Sequence, residues 1–337
     1  MSIRIADVAQ KAGVSQATVS RVLNGSDTVT ARTRSKVMKV IHELDYQPNA
    51  AAKNLRSQKT MTIGVIVPDV NNAYYAEVIK GIANVAYARK YKIIICDTEN
   101  NKDKEFEFVN LLMNRTIDGL VMVTPNLLED EIKQVAAKGY SLAVIGKDIQ
   151  HERIPCAFTN NVKFSIEVIR HLVERGHRDI VFLSGYADAV DSMERLEGYM
   201  KGLKEHELPF RPEYVEDGNF SEEGGYDAIK RLMDSGLPFT AVYAANDEMA
   251  LGVYKACKER GVRIPEDLAV VGVDNNRIGS YILPGLSTVD QPKYEMGAVI
   301  VEKLIDLMNT EDGPGQRIFE IPSQLIIRGS SDYRRGE

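Results

Sequence analysis

Gln16, Ala17, Ser20 and Arg21, with Ser15 just before them, are the residues of this chain best equipped for recognition chemistry. An amide offers a donor and an acceptor side by side and pairs with the edge of an adenine. A guanidinium forks onto guanine, and a methyl group packs against that of thymine. Hydroxyls hold backbone phosphates, which sets register without reading sequence. This chemistry requires the side chains to share one face of an element that enters a DNA groove. The structural alternative is an ordinary helical hairpin with a solvated face.

The surrounding residues build such an element. Ile5, Val8, Ala9 and Ala12 recur at helical spacing. Gly13 permits the left-handed backbone of a sharp turn. Ser15 then caps a second helix, whose Val19, Val22 and Leu23 face back onto the first. Asn24-Gly25 and the following Ser26 and Asp27 form a loop. Thr30 caps a third helix, about 31–44, that buries Val37, Val40, Ile41 and Leu44. Pro48 stops any continuation. Residues 50–56 read as a short helix, below the ~12–15 residues an isolated helix needs. They are either a segment that folds on binding or a plain linker.

Charge is divided along the chain. Residues 1–60 hold ten basic and four acidic side chains, a balance of +6, in a chain whose total is −6. The remainder therefore carries −12. A basic head on an acidic body fits a head that binds a polyanion.

Other classes find little support. No stretch approaches the ~18 apolar residues of a membrane helix, and the N-terminus lacks a signal-peptide core. Cys96, Cys156 and Cys257 are odd in number and far apart, as expected for reduced thiols in the cytoplasm. The histidines show no metal-ligand spacing, and no metal or cofactor is expected. There is no Walker loop, no GxGxxG after a strand and no nucleophile elbow, so no enzyme is expected. Residues 97–103 faintly resemble a calcium loop but lack its glycine and closing glutamate. A secreted solute-binding protein is disfavoured by the basic head.

From Thr60 strands alternate with amphipathic helices in two series. That pattern implies an α/β body of two doubly wound, parallel-sheet subdomains, with ligands at the carboxyl ends of the strands and in the cleft between them.

Motifs at both ends resemble the lactose-repressor/galactose-repressor (LacI/GalR) family of bacterial transcription regulators. They are Asp7-Val8-Ala9, Ala12-Gly13-Val14-Ser15, Thr18-Val19-Ser20-Arg21-Val22-Leu23-Asn24 and Tyr46-Gln47-Pro48-Asn49 in the head. In the body they are residues 246–252, Val271-Gly272-Val273-Asp274-Asn275 and Asp290-Gln291-Pro292. The resemblance runs from Ile5 to about Arg328. It implies a helix-turn-helix head over 1–48, a hinge helix and linker over 49–60, and a periplasmic-binding-protein-like core over 61–330, with a tail over 331–337. The core's amino subdomain would be 61–157 plus 289–317. Its carboxyl subdomain would be 158–288 plus 318–330, with crossings near Asn160, Thr288 and Phe319.

By the same resemblance Gln16, Ala17 and Arg21 read bases. Ser15, Thr18, Ser20, Asn24, Asn49 and Arg56 hold phosphates, and Leu55 wedges into the minor groove. Tyr74, Tyr75 and Phe220 match aromatic positions near an effector, and Arg195 a clamp for hydroxyls or carboxylates. Asn246 and Asp274 match polar partners of sugar hydroxyls. Each has a structural alternative: Tyr74 and Tyr75 as helix-start packing, Phe220 as core, Arg195 as a partner of Asp191 or Glu194, Asn246 as a helix cap. Asn160 stands where the family commonly has Asp, and Lys147 where Asp-Arg is frequent. Ala189 and Asp191 stand where the purine-binding branch has polar clamps, which disfavours a purine. These departures suit a sugar acid or sugar phosphate as well as a sugar. The implied protein is a homodimeric repressor of a palindromic double-stranded operator, with helices 73–90 and 294–308 as dimer faces unless their apolar residues are core. The alternative is a catabolite-control-type regulator whose effector is a partner protein.

Overall fold

The computed structural model describes residues 3–23, 25–46, 59–310 and 315–334. The chain divides into two units, Met1–Thr60 and Met61–Glu337.

Among its described residues the first unit contains three helices, α1 (Ile5–Ala12), α2 (Gln16–Leu23) and α3 (Ala31–Glu43). Gly13 adopts φ +57° at the end of α1, the conformation the turn demands. Ser15 Oγ accepts from the Thr18 N–H at 3.1 Å and caps α2. Thr30 caps α3 by accepting from the Thr33 N–H at 3.3 Å. Val8, Ala12, Val19 and Val37 are fully buried between the helices, with Leu23, Ile41 and Leu44 packed around them.

The second unit is built on two six-stranded sheets. The first contains β1 (Thr62–Val67), β2 (Lys92–Asp97), β3 (Gly119–Val123), β4 (Leu142–Ile145), β5 (Cys156–Phe158) and β11 (Ile318–Glu320). Its order is β11-β5-β4-β3-β1-β2, and every pairing is parallel. The second contains β6 (Ile180–Ser184), β7 (Val215–Asp217), β8 (Ala241–Ala244), β9 (Ala269–Asp274), β10 (Ser287–Asp290) and β12 (Gln324–Ile326). Its order is β12-β10-β9-β8-β6-β7, and only the β10–β12 pair is antiparallel.

Strand residues alternate between two cores. Ile63, Val65, Val121, Val123, Ala143 and Ile145 pack on one face of the first sheet, against α4 (Ala73–Ala88) and α11 (Lys293–Asn309). Ile66, Leu120, Met122, Leu142 and Val144 pack on the other, against α5 (Lys102–Met113) and α6 (Glu129–Ala137). The second sheet lies among α7 (Asn161–Glu174), α8 (Val190–Glu205), α9 (Glu222–Asp234) and α10 (Asp247–Arg260).

The α4–α11 contact settles an alternative. Ile300, Leu304 and Leu307 of α11 are buried within this chain. They are core rather than a dimer face. The two helices touch through glycine: a Cβ on Gly81 would lie 2.1 Å from the Tyr294 carbonyl oxygen, and one on Gly297 2.2 Å from that of Val78.

The strand assignments move the expected crossings by a few residues. β5 runs to Phe158, β10 stays in the second sheet to Asp290, and β11 lies in the first sheet, so the chain crosses after Phe158, Asp290 and Glu320. The expected tail also begins later. Ser331 is fully buried and its hydroxyl bonds to His171 Nε2 at 2.8 Å and to Ser287 Oγ at 2.7 Å.

Candidate DNA interface and effector cleft

On α2, Gln16, Ala17 and Arg21 are exposed, while Thr18 and Ser20 are half-buried. The buried Val19 and Val22 fix this orientation, because they turn the opposite face inward. Ser15 and Thr18 hydroxyls lie 2.9 Å apart at the start of the helix. The helix therefore presents Gln16, Ala17 and Arg21 outward, with hydroxyls at its N-terminal end.

In the second unit the polar residues gather beyond the carboxyl ends of the parallel strands. Tyr74 and Tyr75 open α4 after β1, behind the Asn72 cap. Their rings meet edge-to-face at 5.2 Å, and the Tyr75 hydroxyl bonds to Thr124 Oγ1 at 3.2 Å, just past β3. From the other sheet come Asp191 and Arg195 on α8, Phe220 after β7, Asn246 after β8 and Asp274 at the end of β9. The two sets face one another. The charges of Asp191, Asp274 and Arg195 act on both tyrosine hydroxyls. Burial is the larger cause that raises the pKa of each tyrosine.

Arg195 is the centre of this cluster, at 4% exposure. Its Nε donates to Asn161 Oδ1 at 2.9 Å and Nη1 donates to the Ala245 carbonyl. Nη2 lies 3.8 Å from Asp191. The guanidinium stands 5.6 Å from the Phe164 ring and 5.8 Å from the Phe220 ring. Burial opposes its charge, and Asp191 and Asp274 more than restore it. Burial raises the Asp191 carboxyl above its usual value and pushes Asp274 up to about 6. Two carboxylates, one guanidinium and aromatic walls form a surface for a polyol: rings pack on its C–H face and the charged groups bond its hydroxyls.

Residues 4–49 match the family described as bacterial regulatory proteins, lacI family, and residues 169–331 match the periplasmic binding protein-like domain. Catabolite control protein A of Priestia megaterium is 34% identical over 332 residues, covering 98% of this chain and all of that protein. The chain belongs to the lacI family of bacterial regulatory proteins. Among solved structures, the lac repressor dimer bound to operator and the anti-inducer ONPF superposes with a TM-score of 0.88 at 26% identity. That match covers 98% of this chain and 99% of the repressor chain. The transcriptional regulator CelR–cellobiose complex superposes with a TM-score of 0.73 at 27% identity over 97% of this chain and 99% of the other.

Several family positions take structural duties here. Asn160 caps α7, accepting from the Lys163 N–H at 2.9 Å, and its amide reaches Glu320 at 3.4 Å. Its neighbour Asn161 is the one that meets the cleft: it accepts from Arg195 and donates to Glu194 at 2.8 Å. Asn246 spends both ends of its amide within the protein. It caps α10 by accepting from the Met249 N–H at 2.9 Å and donates to the Phe220 carbonyl at 2.9 Å. Lys147 lies 3.4 Å from the carbonyls of Pro125 and Leu127, and Glu105, Glu129 and, from the other side of the cleft, Asp191 bear on its charge. Burial lowers its pKa. Phe220 adopts φ +54° and lies against Gly185, where a Cβ would come within 2.0 Å of the ring.

Asn24, Asn49, Leu55 and Arg56 lie outside the described residues. Sequence reading missed Asn161, Phe164 and two residues at the crossings, Gln291 and Lys293. Gln291 accepts from the Thr159 hydroxyl at 2.7 Å and donates to Asp274 Oδ1 at 2.8 Å. Lys293 is 2% exposed on its side chain. It carried a readable signal: it heads the stripe that continues through Met296, Ile300 and Leu304, all buried. A lysine on an apolar stripe is anomalous.

Proposed function

We propose that this protein is a homodimeric transcriptional repressor whose grip on a palindromic operator is tuned by an uncharged, sugar-like metabolite in the cleft of its second unit. The observation that carries the effector reading is the buried Arg195 set between Asp191 and Asp274 beside Phe220. Arg195 lies 3.8 Å from Asp191, Lys293 donates to the Asp274 carbonyl and reaches Glu77, and Asn161 ties Glu194 into the same cluster, so carboxylates already outnumber cations there. A neutral polyol adds no charge to that cluster, whereas a sugar acid or phosphate adds an uncompensated buried charge. The same buried cluster favours a small molecule over a partner protein as the cleft's occupant.

The DNA reading rests on the exposed Gln16, Ala17 and Arg21 of α2. Leu55 is assigned the minor-groove wedge on family resemblance. The dimer reading rests on exposed apolar residues: Ile94 and Ile95 on the edge strand β2, and Ile278, Tyr281 and Leu283 near the second sheet. An exposed apolar edge strand is a surface that proteins cover. Such a regulator acts in the cytoplasm, where its operator is.

Duplex selection from a random pool, followed by titration of the selected site against its scrambled version, tests the DNA reading. Isothermal calorimetry with neutral sugars and their acid and phosphate counterparts tests the effector. A tighter fit of the charged members would overturn the uncharged-ligand assignment.

A further inference from the structure

Lys293 stands where the two lobes of the second unit join. It is the first residue of α11, and its side chain is 2% exposed. Its ammonium donates to the backbone carbonyl of Asp274, at the end of β9 in the second sheet. It lies 3.6 Å from Glu77 Oε2 on α4, which packs on the first sheet. Glu77 is itself 55% exposed, so this carboxylate reaches inward from a solvated helix surface. A buried ammonium is costly to keep unless its partners compensate it. Here one partner belongs to each lobe.

The neighbouring bonds converge on the same point. Thr159, on the first crossing, donates to Gln291, on the second, and Gln291 donates to the Asp274 carboxylate. Asn160 reaches Glu320 at the third crossing. Asp274 holds φ +116°, a backbone that side-chain-bearing residues rarely adopt. It is held there from two sides, its carboxylate by Gln291 and its carbonyl by Lys293. Glu77 lies one turn beyond Tyr74, so the tyrosine wall and the aspartate wall of the cleft are joined through one lysine.

We infer that Lys293 is a positioning residue that couples Asp274 to Glu77, so that movement of the cleft aspartate is carried into α4. This rests on the cleft being the effector site. Closure on a ligand that engages Asp274 draws β9 toward it, and Lys293 transmits the shift to Glu77 and the first two turns of α4. A hydrophobic residue at position 293 would pack as well but would carry no such directional tie.

Hydrogen exchange on the full-length protein, without ligand or DNA, tests the coupling. Glu77→Gln alters a half-exposed group and leaves the cleft residues in place. It is expected to speed exchange of the segment 272–276 by about threefold or more, although Glu77 does not touch that segment. Asp274→Asn keeps the backbone carbonyl that Lys293 grips but weakens the Gln291 clamp on that residue, and is expected to speed exchange of residues 73–80 by a smaller factor. In a Lys293→Met background both long-range effects should vanish, the signature of a shared intermediary. Exchange of β6, remote from the hinge, serves as the control, because a merely structural role for Lys293 would loosen it equally. If Glu77→Gln leaves 272–276 at the wild-type rate, or if its effect persists in Lys293→Met, the coupling is overturned. Should Lys293→Met fail to fold, the two single variants still decide. Because no effector is used, this outcome is separate from whether sugars bind.

Discussion

In the head, Gln16, Ala17 and Arg21 stand in solvent on a helix whose other face is apolar. In the cleft, Arg195 is 4% exposed, and its nitrogens are directed at Asn161, Ala245 and Asp191. Both regions present a guanidinium to which the proposed function gives a recognition role, yet one stands in solvent and the other is partnered within the fold. An exposed cation costs the fold little and binds a polyanion through released counterions. A buried cation must be compensated by the protein, so its removal damages the fold as well as the site.

The comparison can be broken by variants of the two arginines. Arg195→Met strands Asp191 and Asp274 without their shared cation. It is expected to cost about 3–5 kcal/mol in urea unfolding and to abolish ligand heats in calorimetry. Arg21→Ala is expected to change unfolding stability by less than about 0.5 kcal/mol. Its loss should appear instead in fluorescence anisotropy, as about 1–3 kcal/mol of weakened binding to the selected duplex. Comparable unfolding costs for the two would erase the distinction.

Smaller effects sharpen it. Burial pushes the Asp274 carboxyl up to about 6. Between its unfolded value near ~4 and 6, the folded protein holds a proton that the unfolded chain has released. Stability from this group is therefore lost as pH rises through that window. Asp274→Asn removes the titration, so its stability relative to wild type is expected to improve by about 2 kcal/mol between pH 4 and 7. No corresponding dependence is expected from Arg21→Ala. Ser15→Ala removes the α2 cap and is expected to lower head stability by about 1 kcal/mol or less. Differential scanning calorimetry should show the change in the head transition alone.

The head was legible because its signals are local. Gly13, Ser15 and Thr30 punctuate helices through their own backbone and side chain, and the apolar stripes alternate with the exposed positions at short range. The parallel α/β alternation was equally readable, since each strand is a short apolar run between amphipathic helices. The crossing strands β5, β10, β11 and β12 are three or four residues long. They are too short to show a period, which is why the crossings shifted.

The cleft was legible in composition but not in assignment. Asn160 and Asn161 are adjacent and identical, and which one caps α7 depends on where that helix begins. Asn246 satisfies both a cap pattern and a family ligand position. In the fold, Phe220 and Met249 take up its amide. Lys147 reads as a free cation until the Pro125 and Leu127 carbonyls are brought beside it.

By itself the sequence determined the helix-turn-helix head, the charge division between head and body, and two wound sheets with polar and aromatic residues at their strand ends. Those features follow from periodicity, capping and charge, which act over a few residues at a time. Only the tertiary structure decided that Asn161 rather than Asn160 meets Arg195, that Lys147 sits beside the Pro125 and Leu127 carbonyls, and that Lys293 is buried between Asp274 and Glu77. Those choices depend on contacts between residues far apart in the chain, where burial makes each charge's partner a matter of three-dimensional proximity.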